Sequence, residues 1–484
     1  MPVALFFHSR LHLQKLHEVR LTKISHSFRT TPFSLAMMLI LLSSSFVSAQ
    51  TNTPANANGL PKGGAFTGSS FDTVQMNNGN LHIEIPFNAL PGRGISQEFK
   101  AVYDNKGWGF KELRRYSVDQ SSFKTIDIPM PSIGNHLNWT LTGSASFVAG
   151  YTFQTSTLVC AGGQSYGYIN YYGVQRSGYF LQDNTGTRHA FQDPESWVGD
   201  SECGAQIPRS IPSTDGSGWL LNLDAYGKVA EALAPNGFSV SFPSNSGVAT
   251  SSRLTDTNGN FVSDTADTVG RSIAYDGSIV GSDGTTRGFT TTTVSVPVAT
   301  KLCPFHSDDT CGRENTTPLT LTATIASPTG SQYVFGYEQN AYGELNSIQL
   351  PTGGVITYTW GSPDEGGRKV ASRTVSYGGK SYVWRYVWNF TPYATTWQNI
   401  MTDPNLNDTV YTCQSLPSVV QTSYTPQCFI TREDSYEGSQ TGGILMKSVL
   451  TDYSPGNGIL LPPLATKKNN SSPRERLFIC RDGL

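Results

Sequence analysis

Two stretches of the chain overlay each other without a gap, residues 217–242 and residues 333–358. Trp219 meets Phe335, Leu221 meets Tyr337, Tyr226-Gly227 meets Tyr342-Gly343, and Val229 meets Leu345. Pro235-Asn236-Gly237 then meets Pro351-Thr352-Gly353, Val240 meets Ile356, and Phe242 meets Tyr358. An internal repeat constrains architecture more than a single motif does. This one spells strand, turn, strand, turn, strand, and its shared positions are turn formers and alternating apolar residues. The turn glycines permit a positive φ. The prolines fix φ as the turn begins and, lacking an N–H, stay out of the ladder. One hairpin is unstable alone, so such units must lie side by side in a larger sheet.

Composition agrees. Charged residues make up 14% of the 484-residue chain, well under the ~25% usual for soluble domains. Gly (48), Tyr (22) and Phe (24) are abundant, a mix suited to sheets with tight turns. Leu81, Ile83, Ile85 and Phe87 alternate with polar residues, which predicts a half-buried strand. Tyr382, Trp384, Tyr386 and Trp388 share one strand face. No helical periodicity of useful length appears after residue 49, so the chain reads as all-β, with antiparallel hairpin repeats behind a β-rich N-terminal region.

The N-terminus reads as a signal peptide over 1–49. Arg10, Lys15, Arg20, Lys23 and Arg29 precede an apolar core at 35–42, and Val47-Ser48-Ala49 offers small residues before Gln50. This leader exceeds the ~15–30 residues of a usual signal, which predicts a true start downstream of Met1. The apolar core falls short of the ~20 residues of a membrane span, so no span is expected after cleavage. The predicted location is secreted or at the cell surface. The formal net charge is −2 and becomes more negative without the basic leader. No basic stripe is present, which argues against nucleic-acid binding. In an oxidising compartment the simplest cysteine pairing joins sequence neighbours, 160–203, 303–311 and 413–428, and leaves Cys480 over.

These signals divide the chain into the signal peptide, a flexible lead at 50–69, an N-terminal β-rich region at 70–210, a repeat region at 211–465 and a tail at 466–484. Lys467, Lys468, Arg474, Arg476 and Arg481 crowd into that tail. Sheet alternation stops there, so disorder is expected. The unfinished pattern before it predicts the front part of a longer product.

The step Tyr337-Glu338-Gln339-Asn340-Ala341-Tyr342-Gly343-Glu344-Leu345 and the return strand Leu350-Pro351-Thr352-Gly353-Gly354-Val355-Ile356-Thr357-Tyr358 are the clearest motif-like segments. Together with Tyr275-Asp276-Gly277 they resemble the YD repeats of the rearrangement-hotspot (RHS) family. Residues 71–87 and Gly442-Gly443-Ile444-Leu445 resemble its bacterial secreted members less specifically. The resemblance covers about residues 70–465 and is strongest at 215–360. It rests on the repeat-motif residues Tyr226, Gly227, Pro235, Gly237, Tyr342, Gly343, Pro351 and Gly353. It implies a long β-sheet wound into a hollow shell or barrel, often with a variable C-terminal passenger such as a toxin. The repeats here are few and degenerate, and no Asp-Pro-x-Gly-type motif precedes a passenger, which implies a partial shell.

Chemistry-bearing motifs are sparse. Of the mature histidines His82, His136, His189 and His306, none lies in a His-Glu-x-x-His or His-x-His pattern. His82 and Glu84 share a polar strand face, which reads as solvated in preference to an acid/base pair. Cys303, His306 and Cys311 read as a disulfide loop in preference to a zinc site. Asp256, Asn258, Asn260, Asp264 and Asp267 read as a hairpin with Asx turns in preference to a calcium loop. No metal or cofactor is therefore expected. Asp308-Asp309 and Asp364-Glu365 supply paired carboxylates, but a glycan hydrolase needs two facing each other across a cleft. Trp384 and Trp388 are candidate ligand-facing aromatics for stacking on sugars, against a reading as packed core. The expectation is a structural or cell-surface interaction protein without catalytic activity, with a surface glycan or protein as partner. The alternatives are a carbohydrate-binding or adhesion module and a β-rich glycan hydrolase.

Overall fold

Among the described residues, six five-residue loops share one hydrogen-bond pattern and set many of the hairpins. They are residues 183–187, 224–228, 234–238, 256–260, 350–354 and 403–407. In each, the first N–H donates to the fifth carbonyl and the fourth N–H donates to the first carbonyl. This is a turn closed by a bulge whose fourth residue takes the left-handed conformation. Gly353 occupies it with φ 83° and Leu406 with φ 66°. Nothing lies within 4 Å of a Cβ added at Gly353, so Gly353→Ala is expected to cost about 1 kcal/mol from backbone strain alone. Leu406 is exposed, so Leu406→Gly relieves the same strain without losing burial. Urea midpoints should fall in the first variant and rise by a smaller amount in the second.

The structure, a computed structural model, describes residues 59–471. Segments 61–63, 70, 117–122, 132–136, 161–168, 192–196, 199–207, 244–246, 252, 264, 274–277, 281–285, 301–314, 328–329, 362–367, 390–393, 416–427 and 454–464 lie outside this description. The described residues are strands, turns and loops, with no helix among them. A five-stranded antiparallel sheet runs Phe66–Gly68, Asp72–Gln75, Leu81–Leu90, Gln97–Asp104, Thr140–Gly143. A second sheet runs Arg188–Phe191, Ile169–Gln182, Val148–Cys160, Val248–Thr250, with Trp197–Val198 paired to Ile169–Gln182. A six-stranded sheet spans Arg209–Pro212 to Phe261–Ser263 and contains the first repeat unit. The second unit lies in a twelve-stranded meander from Thr290–Val296 to Ala465–Ser471, in which each strand pairs with its sequence neighbour. Among the described residues no sheet closes on itself.

Two cores result. In one, Val74, Leu81, Ile83 and Ile85 of the five-stranded sheet, with Met76 from the turn beside it, pack with Phe335, Leu345, Ile348 and Ile356 of the twelve-stranded sheet. The other joins Phe99, Phe147 and Tyr179 to Leu221, Ala232 and Val240 of the six-stranded sheet. Both cores draw on both sides of residue 210, because each sheet has an apolar face to cover.

The repeat shows in burial. Val229, Ala232, Val240 and Phe242 are buried, and so are their counterparts Leu345, Ile348, Ile356 and Tyr358. The gap-free overlay fails in the first strand, however. Leu223 pairs with Val229, whereas Tyr337 pairs with Leu345, so the second unit has the longer loop by two residues. Phe335 is thus equivalent to Leu221, not Trp219. A shift of two preserves which face each residue occupies, which is why the sequence overlay hides it. The extra residues place Asn340 at φ 54°, donate its N–H to Pro297 O at 2.8 Å, and pair Ala341 with Val298.

Pairing continues through Ser471, with Lys467 opposite Asp452. The change in composition at 466 therefore does not mark the end of the sheet. Cys413 and Cys428 form the predicted disulfide. Cys160 ends a strand, while its proposed partner Cys203, both cysteines of the 303–311 pair, Cys480, the signal peptide and Tyr275-Asp276-Gly277 lie outside the described residues.

Candidate functional site

The loops reveal a residue that the sequence reading missed. Asp224 Oδ1 accepts the N–H groups of Tyr226 and Lys228, each at 2.8 Å. Asp256 does the same for Asn258 and Asn260, and Asp403 for Asn405 and Asn407. The working element is Asp-x-x-Gly-x, with Leu406 in place of the glycine in the third loop, and the aspartate satisfies two loop donors. The recurrence of Asp three residues before Gly was the available signal. Tyr226, chosen as a motif residue, is 49% exposed. Its counterpart Tyr342 is buried under Arg368, whose Cζ lies 4.9 Å from the ring. Gly227, Gly237, Gly343 and Gly353 all have positive φ. Pro235 and Pro351 begin equivalent loops.

Four largely buried polar clusters lie within or between the sheets. In the first, Asp72 is fully buried on the five-stranded sheet and faces Arg373 of the twelve-stranded sheet. Arg373 donates through Nε to Oδ2 and through Nη2 to Oδ1, the latter at 2.7 Å. Tyr358 donates its hydroxyl to Asp72 Oδ2 at 2.8 Å. A bidentate carboxylate–guanidinium pair is the strong form of such a contact. Burial lowers the Arg373 pKa while Asp72 raises it, and the net direction is up.

In the second cluster, His82 is only 2% exposed, which corrects the expectation of a solvated face. Its Nδ1 lies 3.1 Å from Asp104 Oδ1 and its Nε2 3.1 Å from Glu84 Oε1. Lys100 Nζ donates to Glu84 Oε2 at 2.7 Å. On the strand's polar face His82 is buried, Glu84 half-buried and Pro86 exposed, so alternation reports the core face but does not show that every polar position is solvated. The third cluster is similar. His189 Nδ1 lies 2.6 Å from Asp215 Oδ2 and its Nε2 3.4 Å from Asp183 Oδ2.

The fourth cluster sits on the two-residue insertion. Glu344 is 1% exposed, with Arg368 Nη1 3.1 Å from its Oε2. Arg368 also pairs with Glu338. Asn105 and Lys106 both donate to the Arg368 carbonyl. Burial, reinforced by Glu338, pushes the Glu344 carboxyl up to about 8 against the opposing pull of Arg368 and Lys106.

Desolvation disfavours the imidazolium form of both histidines, yet their flanking carboxylates outweigh it and hold each pKa up at about 9. Each histidine therefore contributes stability that is complete below its unfolded value near 6.5 and lost as pH rises through 9. Glu344 acts in the same direction over a lower window, its contribution complete below its ordinary value of 4.5 and lost as pH rises to about 8. Glu84 and Asp215 are shifted down by their histidine partners against the effect of burial, so their contribution is lost at acid pH. Stability should therefore peak near pH 5 and fall as pH rises to 9 by several kcal/mol, most steeply above pH 6.5 where the Glu344 and histidine windows overlap. Urea midpoints at pH 6 and pH 9 measure this.

The candidate aromatics are half-buried. Trp384 lies under Arg373, with Cζ 4.6 Å from the ring, and Trp388 donates its indole N–H to Val370 O at 2.7 Å. Tyr386 between them is buried, and Tyr382 is exposed. Asp256 makes the predicted Asx turn, its second oxygen accepting from Asn260 Nδ2 at 2.8 Å. Among the described residues no group of three or more His, Cys, Asp or Glu is placed to hold a metal ion. Asp308-Asp309, Asp364-Glu365, His136, His306, Cys303 and Cys311 lie outside the described residues.

No family model matches the chain, and no curated protein matches it. Solved structures that overlay it include a crystal structure of TcdB2-TccC3 without the hypervariable C-terminal region. That overlay has 8% identity and a TM-score of 0.25, over 91% of this chain and 28% of that one. A Photorhabdus luminescens Tc holotoxin pore overlays 82% of this chain and 26% of its own, at 8% identity and a TM-score of 0.24. The chain thus spans about a quarter of the length of either. At these TM-scores the overlays carry no argument about family or activity.

Proposed function

We propose that the chain is an exported, RHS/YD-repeat-like structural or cell-surface interaction module without catalytic activity of its own. The observation that supports this reading is the arrangement of its buried ionisable groups. Both ring nitrogens of His82 and of His189 face carboxylates, so neither ring presents a nitrogen to a substrate proton. Arg373 and Asp72 likewise join two sheets instead of lining a cleft. The purified mature chain should release no product from a panel of chromogenic glycosides and polysaccharides. Turnover that disappears in His82→Gln or His189→Gln would refute the reading. Cell fractionation should place the protein outside the cytoplasm, with Gln50 as its first residue.

One observation favours a carbohydrate-binding or adhesion reading. Tyr377 and Tyr382 are exposed on the hairpin that carries Trp384, and exposed rings suit stacking on sugars. Glycan-array binding lost in Tyr382→Ala at unchanged stability would support it.

A further inference from the structure

Two of the buried clusters are connected through the first described residues of the chain. Gly59 N–H donates to Asp104 Oδ1 at 2.9 Å. That oxygen also receives Asn80 Nδ2 at 2.6 Å and faces His82 Nδ1. The next residue, Leu60, donates its N–H to Thr187 Oγ1 at 2.7 Å. Thr187 Oγ1 lies 2.8 Å from Thr185 Oγ1. Asp183 Oδ1 accepts the Thr185 hydroxyl at 2.6 Å and the N–H groups of Thr185 and Thr187. Asp183 Oδ2 faces His189. Two consecutive backbone donors thus bridge the His82 and His189 clusters, which belong to different sheets.

Close packing locks the bridge. Gly59 has φ 71°, and a Cβ there would lie 2.5 Å from the Thr187 backbone. Any side chain at position 59 must therefore push the segment off the 183–187 loop.

We propose that Gly59-Leu60 is a strap, fastened by the protonated His82 and His189 clusters and released when the two histidines lose their protons. The groups facing His82 are Asp104 and Glu84, with Lys100 on Glu84. With His82 charged, two cations match two carboxylates. Those facing His189 are Asp183 and Asp215, with the Trp219 ring 5.9 Å away. Loss of the His82 proton leaves one carboxylate charge without a counter-charge, and loss of the His189 proton leaves both Asp183 and Asp215 without one; such buried charges are costly until water reaches them. Lifting a segment held by two hydrogen bonds hydrates both clusters and leaves the two apolar cores intact. Local opening of this kind follows the least-anchored segment. Both histidines are held up at about 9, which puts release in the mildly alkaline range.

The test is cleavage of the Lys62–Gly63 bond, beside the strap, by a lysine-specific protease on the full mature chain. Rates are normalised to a free peptide of the same sequence at each pH. The wild-type rate should rise about tenfold between pH 7 and pH 9.5 while tryptophan fluorescence still reports the folded cores. Gly59→Ala, which leaves every titratable group in place, should cut at the fast rate at both pH values. The double variant His82→Gln/His189→Gln, checked for folding by the same fluorescence, should lose the pH step. A wild-type rate that is flat with pH would overturn the proposal. So would a pH step that survives in the double variant, or a Gly59→Ala variant as resistant as wild type at pH 7.

Discussion

Replacing Asp72 with alanine is expected to lower stability by about 3–5 kcal/mol, the range for breaking a buried ion pair from one side. The loss comes mainly from what remains. Arg373 is 3% exposed, cannot shed its proton, and loses both oxygens of its bidentate partner. Tyr358, 2% exposed, loses the acceptor for its hydroxyl. Chemical denaturation followed by circular dichroism measures the effect. A loss under about 1 kcal/mol, the range of an exposed pair, would show that water reaches this contact.

Phe335→Ala is expected to cost about 3–5 kcal/mol, the range for removing a buried aromatic ring. Phe335 is 4% exposed and stacks on Trp139 with centroids 4.3 Å apart. Trp139 in turn lies 5.4 Å from Tyr103 of the five-stranded sheet. This ring series crosses from one sheet to the other, so the cavity opens in the middle of the shared core. The equivalent residue of the first unit, Leu221, is also fully enclosed but makes no such stack. Leu221→Ala should fall at the lower end of the ~2–5 kcal/mol seen for buried leucines. Equal losses at the two positions would argue against the aromatic series as the bridge.

The hairpins were legible because their signals are local. Pro-x-Gly and Asn-Gly mark turns, and Leu81, Ile83 and Ile85 mark the face that enters the core. The Cys413–Cys428 pair was legible because only 15 residues separate it. The Asp-x-x-Gly-x loop is a local signal too, but the overlay of the two Tyr-Gly pairs sets Asp224 against Asn340 and so does not show the aspartate as a shared position. In the longer second loop the aspartate has no counterpart that makes the same contacts. The polar clusters were not legible. Asp72 and Arg373 lie 301 residues apart, and nothing local to either announces the other. His82 and Glu84 alternate as solvated residues do. The 59–60 segment and the 183–187 loop, which meet Asp104 beside His82, come from elsewhere in the chain.

The N-terminal five-stranded sheet and the twelve-stranded repeat-bearing sheet are joined by buried polar and aromatic contacts. A double-mutant cycle between Asp72→Ala and Arg373→Met tests this junction most directly, with unfolding free energies measured at pH 6. Methionine keeps the apolar stem of the arginine without its charge. The double variant should be less destabilised than the two single losses combined, with a coupling of about 2 kcal/mol or more. Losses that add to within about 0.5 kcal/mol, as for independent sites, would contradict the claim that these sheets meet at this pair.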